Sequence, residues 1–494
     1  MTFTSIGFIL FFLVVAIAYY LIPNRFRWIL LLLAGCIFYG SFAPGYLLLV
    51  VGIILVSYIG ALWIDKNSGK SRPLILAFGI VLLLLPLLIF KYLDFFQGNL
   101  LVLAGLIDWN YPGHLLKLIL PLGLSFYTFQ AVAYLIEVYW KKQTPEKHLG
   151  IYSVFILFFP QLLAGPIARP QSLLPQFKVA HPFNPEHVTE GLKLILWGFF
   201  KKLVLADRLA LAVNYVYSHA PNTSGWTWII AAIFFSFQIY CDFSAYSDIA
   251  LGTARVLGFK LMENFKRPYF SKSIGEFWNR WHISLSSWLR DYIYIPLGGS
   301  RGRKWKWVGN VLITFLASGL WHGANWTFVF WGFLNGSYLI ISKLTEAPRK
   351  WAVNLARLNN HPLLLRLIRV VFTFSLVTFS WIFFRSDSIG QAFVIFQKIG
   401  RDAMGWLASP VWPGLAGVRA LMAQMGIGLY DLAIILGGLI VLESIELLGR
   451  KEGAQRLLTS QPRWIRWAVY YALILAIAFF GAYHGQGEFI YFKF

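Results

Sequence analysis

Long apolar runs separated by short polar connections dominate this chain, and they recur near the ~20 residues that an α-helix needs to cross a bilayer. Residues 6–22 form the first run. Residues 28–39 and 46–63 follow as a pair divided by a Pro-Gly turn at 41–45, and 74–96 and 118–140 come next. Lipid cannot satisfy backbone hydrogen bonds, so spanning segments are helices or a closed barrel. Unbroken runs without alternation, such as 74–89, select helices.

The pattern then loosens. Residues 151–164 are short for a span and have basic flanks, which fits a re-entrant or in-plane segment. Residues 192–216 are amphipathic at one end, with Lys193, Lys201, Lys202 and Arg208. Residues 226–256 contain a clear span that carries Gln238, Asp242, Ser244, Ser247 and Asp248. Further apolar runs lie at 308–341, 367–384, 430–448 and 467–483, with weaker material at 389–407. The expected total is about eleven crossings with two or more partial ones. No repeat or separate soluble domain is visible, so residues 1–494 read as a single polytopic domain. Its N-terminal helices fall in 1–117, the chemistry-bearing core in 118–342 and the C-terminal helices in 343–494.

Composition agrees. The chain is 58% hydrophobic and only 13% charged, about half the charge of a soluble domain. Its net charge of +22 reads as the positive-inside bias rather than a nucleic-acid surface, because the basic residues cluster in short connections. The first of them, Arg25, follows the run 6–22 instead of preceding it. That run is therefore a retained helix entering from outside, not a cleavable signal. Cys36 and Cys241 both sit in apolar surroundings, with no metal-ligand spacing, and read as packing residues.

Residues 255–306 stand apart, with eleven basic residues against Glu263, Glu276 and Asp291. Their charge places this loop on the cytoplasmic face. Within it, 277–292 reads as one amphipathic helix. Phe277, Trp278, Trp281, Leu285, Trp288, Leu289 and Tyr292 share one arc at ~100° per residue. His282 falls at the border of the two faces, where it serves either as part of an interfacial anchor or as a functional group. His322, in the run Gly319-Leu320-Trp321-His322-Gly323-Ala324-Asn325, lies between the apolar stretches 308–317 and 326–341. An ionisable group there is costly, and such groups usually line pathways or sites. The bland alternative is a histidine bonded to a carbonyl at a helix break that Gly319 and Gly323 permit. The functional reading is a general base that takes a proton from a hydroxyl as its oxygen attacks an acyl carbon. Asp242 and Asp248 fit a proton relay, a ligand contact or polar links between helices, and the last is favoured. His114 reads as solvated, and His484, near the end of the last apolar run, has no assigned role. Walker, Rossmann, His-Glu-x-x-His and Gly-x-Ser-x-Gly patterns are absent.

The run Glu276-Phe277-Trp278-Asn279-Arg280-Trp281-His282-Ile283-Ser284-Leu285-Ser286, continuing through 290–299, resembles the signature of the membrane-bound O-acyltransferase (MBOAT) superfamily. Gly319-Leu320-Trp321-His322-Gly323 resembles that family's catalytic-histidine motif. Residues 120–139, 159–169, 238–258 and the closing 489–494 are similar to the bacterial branch that O-acetylates alginate, cellulose and peptidoglycan. The resemblance implies an all-α integral membrane fold, a ring of tilted helices around a central funnel with the two histidines where its cavities meet. It implies an inner-membrane O-acetyltransferase with no bound cofactor and acetyl-CoA as cytoplasmic donor. The acetyl group would pass to a periplasmic partner of the SGNH-hydrolase type that serves polysaccharide-synthesis machinery such as that of alginate biosynthesis. On this basis His322 is expected as general base and His282 as its assistant. Trp281 and Trp321 would shape the passage, while Asp242, Arg280 and Asn325 would contact substrate. D-alanyl transfer from a carrier protein, and a proton-coupled transporter, are the alternatives.

Overall fold

In the computed structural model, residues 1–113, 115–116, 118–163, 165–220, 223–408, 414–448, 461–483 and 489–490 are described. His114, His484 and residues 491–494 lie outside the described residues. Every regular element among the described residues is helical. Backbone contacts divide the chain into two compact units. The first comprises Met1–Ile195 with Ser247–Glu263, and the second Leu196–Tyr246 with Asn264–Phe494.

The first unit begins with α1 (Ile6–Leu21), α2 (Arg27–Gly40), α3 (Leu47–Lys66), α4 (Ser71–Leu87) and α5 (Leu93–Leu106), a π turn joining the last two. These helices leave Leu10, Leu48, Leu74 and Val102 exposed, as faces against lipid do. α6 (Leu124–Tyr139) differs, being buried on nearly every side; a helix apolar all round must be enclosed by others. Its Leu135 lies against Gly60 of α3 and Gly79 of α4, where a side chain would collide. The buried polar groups pair locally. Tyr152 donates to Ser57 Oγ at 2.7 Å, and Gln130 donates to the Phe155 carbonyl at 2.7 Å. α7 (Leu149–Leu157) has only nine residues, in keeping with a partial segment. α8 (Pro170–Leu173) and most of α9 (Pro185–Phe199) complete the helices of this unit's N-terminal stretch.

The second unit starts from a π turn at Phe200–Ala206, α10 (Asp207–Ser218) and the Gly225–Tyr246 part of α11 (Gly225–Val256). Two short helices follow, α12 (Ile274–Trp278) and α13 (Ile283–Leu289), and then the hairpin of α14 (Lys304–His322) and α15 (Trp326–Leu344). The remainder is α16 (Glu346–Leu355), α17 (Pro362–Arg385), α18 (Ile389–Ala408), α19 (Gly414–Gln424), α20 (Leu429–Leu448) and α21 (Arg463–Phe480). The hairpin closes glycine to glycine. A Cβ on Gly319 would lie 2.2 Å from the Phe328 carbonyl oxygen, and one on Gly332 would lie 2.3 Å from that of Phe315. This approach brings the end of α14 against the start of α15, as small residues do in membrane helix pairs.

Two sequence expectations change. The single helix over 277–292 is instead broken at His282, whose φ of 43° is left-handed. The cause is tertiary. The Asn264 carbonyl accepts from Ile283 N–H at 3.0 Å, its side-chain oxygen accepts from Ser284 N–H at 3.2 Å, and Lys266 N–H donates to the Arg280 carbonyl at 2.9 Å. A distant asparagine thus caps a new helix where periodicity alone would continue the old one. The apolar arc still faces inward, with Phe277, Trp281, Leu285, Trp288 and Leu289 buried. The second change concerns length. By length and composition five helices among the described residues can cross a membrane, and the bent pair α19–α20 makes a sixth. Neither α14 nor α15 is among them; Lys304, Lys306 and Asn310 dilute the first, and Asn335 and Lys343 the second. The protein is a multi-pass membrane protein whose α14–α15 hairpin falls short of the apolar character of those spanning helices.

Candidate active site

The break before α13 and the end of α14 set two histidines side by side. His282 occupies the left-handed position that opens α13, and His322 is the last residue of α14 before Gly323. Their ring centroids are 6.4 Å apart, with planes inclined by 53°. Exposure is 1% for His282 and 3% for His322, so bulk water reaches neither ring. Aromatic side chains wall the pair. Trp321 stands 5.5 Å from His282 and 5.0 Å from His322, Phe243 meets His282 edge-on at 4.7 Å, and Trp331 and Phe384 meet His322 at 5.0 and 5.2 Å. Burial pushes the His282 imidazole down to about 3, which keeps it neutral at ordinary pH.

The other expected site residues separate into different roles. Trp321 belongs to the histidine pair. Trp281 points into the packed core, stacked on Phe277 at 5.5 Å and against Trp381 at 5.1 Å. Arg280, two residues before His282, turns away and pairs with Glu276 at 2.5 Å. Asn325 caps α15, its side-chain oxygen accepting from Thr327 N–H at 3.0 Å while its amide donates to the Asp387 carbonyl at 3.2 Å.

Asp242 is a structural link one residue from the site. Its Oδ1 accepts from Lys202 Nζ at 2.7 Å, and Lys202 also reaches Asp207 at 2.7 Å. Its Oδ2 accepts from Ile490 N–H at 2.7 Å. The next residue, Phe243, is the ring against His282, and Phe489 packs on both Phe243 and Tyr246. The C-terminal segment is therefore tied to the element that walls the histidine. Asp248 lies in the stretch assigned to the first unit.

The sequence pattern placed Lys201 and Lys202 only on the amphipathic end of 192–216, yet each is only 3% exposed. Lys201 donates to Ser244 Oγ at 2.8 Å. The available signal was two lysines followed by Asp207 inside an apolar stretch, a pattern that asks for partners. Phe243, Trp331 and Phe384 carried no signal, because aromatic residues are common throughout this chain.

Two buried histidines side by side within one aromatic wall are the candidate active site of this multi-pass helical membrane protein. Residues 148–385, which include every expected site residue, match the membrane-bound O-acyltransferase family (MBOAT). The probable alginate O-acetylase AlgI of Pseudomonas aeruginosa is 39% identical over 406 residues, covering 81% of this chain and 75% of its own length. The peptidoglycan O-acetyltransferase of Helicobacter pylori is 33% identical over 423 residues, or 80% of this chain and 77% of its own. The teichoic acid D-alanyltransferase of Bacillus subtilis is 31% identical over 242 residues, only 45% of this chain and 58% of its own. The chain belongs to the membrane-bound O-acyltransferase family and is an acyltransferase.

Proposed function

We propose that the protein is an inner-membrane O-acetyltransferase that passes acetyl groups from cytoplasmic acetyl-CoA toward a periplasmic acceptor serving exopolysaccharide modification. The observation that carries this reading is the His282–His322 pair, buried and 6.4 Å apart. His322 takes the proton of the acceptor hydroxyl as its oxygen attacks the thioester carbonyl carbon. The neutral His282 imidazole offers its N–H to the carbonyl oxygen, where negative charge develops. Collapse of the tetrahedral intermediate breaks the C–S bond and forms the ester. The departing thiolate receives the proton from His322. Exclusion of water from both rings keeps hydrolysis from competing with transfer. Phe243, Trp321, Trp331 and Phe384 hold the rings and shape the passage. Trp281, Asp242 and Asn325 support that frame instead of touching the reacting atoms, and Arg280 points away from the histidines.

Acetyl is preferred to D-alanyl because similarity to O-acetylating relatives extends over about four-fifths of the chain, whereas similarity to the D-alanyltransferase covers 45%. The acceptor hydroxyl is assigned to a partner of the SGNH-hydrolase type, itself linked to the polysaccharide-synthesis machinery. Inverted membrane vesicles supplied with [acetyl-14C]acetyl-CoA test the donor. Label appearing on periplasmic protein enclosed within the vesicles supports it. Transfer of label only from a D-alanyl carrier protein, and none from acetyl-CoA, refutes it.

A further inference from the structure

Away from the histidines, the second unit contains a small cleft lined by Arg267, Lys272, Arg280, Arg366 and Glu446. Four cations thus face one carboxylate, contributed by three separate parts of the chain: the turn and helix over 267–280, the first turns of α17 and the end of α20.

The acids nearby are already engaged. Glu276 accepts from Arg280 at 2.5 Å and from Lys272 N–H at 2.7 Å. The Glu446 carboxylate accepts from the Tyr240 hydroxyl, and its carbonyl accepts from Arg267 at 3.3 Å. Lys272 and Arg366 have no carboxylate at ion-pair distance among the described residues. Arg280 also donates to the Arg267 carbonyl at 3.4 Å, so the Arg267 and Arg280 guanidinium groups are held rather than free to disperse.

The level of the cleft is informative too. Arg366 sits near the start of α17, one of the helices long and apolar enough to span. Leu363, Leu367 and Val371 on the same helix are exposed, as are Leu447 and Leu448 at the end of α20. Cations at the rim of exposed apolar helix faces lie where phosphate headgroups lie.

We infer that this cleft is a binding site for a phosphate ester at the membrane surface. Two sources share that chemistry, the headgroup of an anionic phospholipid and the phosphates of a soluble nucleotide-bearing molecule. Arginine forks match phosphate oxygens in pairs, and the lysine adds a point charge. The inference stands whether or not the acyl donor is a CoA thioester.

The test uses the full chain in nanodiscs and reads binding without turnover, so a failure of acetyl transfer leaves its outcome untouched. One arm measures cardiolipin co-purified from mixed cardiolipin–phosphatidylcholine membranes. The other measures equilibrium binding of coenzyme A. The double variant Lys272→Gln/Arg366→Gln is compared with Lys272→Arg/Arg366→Lys, which keeps the charge, and with Arg369→Gln, an exposed neighbour on α17. Loss of roughly tenfold in either arm, with the charge-keeping pair and Arg369→Gln retaining binding, supports the site. The arm that responds identifies the source. Unchanged binding in both arms, or equal loss in the neutral and charge-keeping variants, overturns it.

Discussion

The His282 ring faces the His322 ring at 6.4 Å between centroids, with Trp321 against both. A hydrogen bond needs roughly 3 Å between heavy atoms, so one oxygen placed between the rings can contact both histidines. The two rings are delivered by different devices. His282 is fixed by a helix start that Asn264 caps, and His322 by a helix end clamped in a glycine hairpin. The placement of both rings therefore depends on residues away from them, Asn264 and Gly319 among them.

Gly319 is the first. Its Cβ position lies 2.2 Å from the Phe328 carbonyl oxygen, a backbone atom that cannot rotate away. Gly319→Ala is expected to spread the hairpin, cost at least about 2 kcal/mol and lower acetyl transfer. Gly309→Ala, on the same helix but in open space, is expected to do neither. Thermal unfolding in detergent and polymer acetyl content measure both.

Lys202 bridges Asp207 and Asp242 inside the protein. Lys202→Met leaves two carboxylates without their cation and is expected to cost about 3–5 kcal/mol. The triple variant Lys202→Met/Asp207→Asn/Asp242→Asn removes the stranded charge while leaving an acceptor for Ile490 N–H, and should recover most of the loss. Equal unfolding midpoints for the single and triple variants would contradict the buried-network role.

Asn325 distinguishes a cap from a substrate contact. Asn325→Ala removes the bond to Thr327 N–H and is expected to cost about 1 kcal/mol of stability. The Michaelis constant for donor should stay within about twofold of wild type, well under the 1.4 kcal/mol that a tenfold change represents. A large rise in that constant without a change in stability would return Asn325 to the substrate.

Burial holds His282 near 3 in the folded protein, against about 6.5 in an unfolded chain. The unfolded state therefore takes up the proton first as pH falls. The contribution of His282 is fully present above about pH 6.5 and is lost toward pH 3, at about 1.4 kcal/mol per unit. Unfolding midpoints measured from pH 8 to pH 5 should fall more steeply for wild type than for His282→Gln. Parallel curves would contradict the burial of this ring.

The sequence singled out both histidines, His322 because an imidazole between apolar runs is costly and His282 because it falls at the border of an aromatic arc. The apolar periods also predicted an all-helical membrane protein, and the short run at 151–164 announced the partial helix α7. The break at His282 was hidden, because its cause is Asn264, outside any window that periodicity can examine. Lys202 read only as part of an amphipathic end because local pattern does not show that Asp242, far along the chain, comes to meet it. Arg280 and Asn325 were placed in the site by proximity to the motifs. Their side chains turn to Glu276 and to the start of α15 instead. Motif membership does not show which way each side chain points.

The most direct measurement is polymer-bound acetyl in cells that carry His322→Ala or His282→Ala, with membrane protein levels matched to wild type. His322→Ala is expected to abolish acetylation to background and His282→Ala to lower it by at least about a hundredfold. Wild-type acetylation from a normally accumulated His322→Ala protein would rule out His322 as the general base.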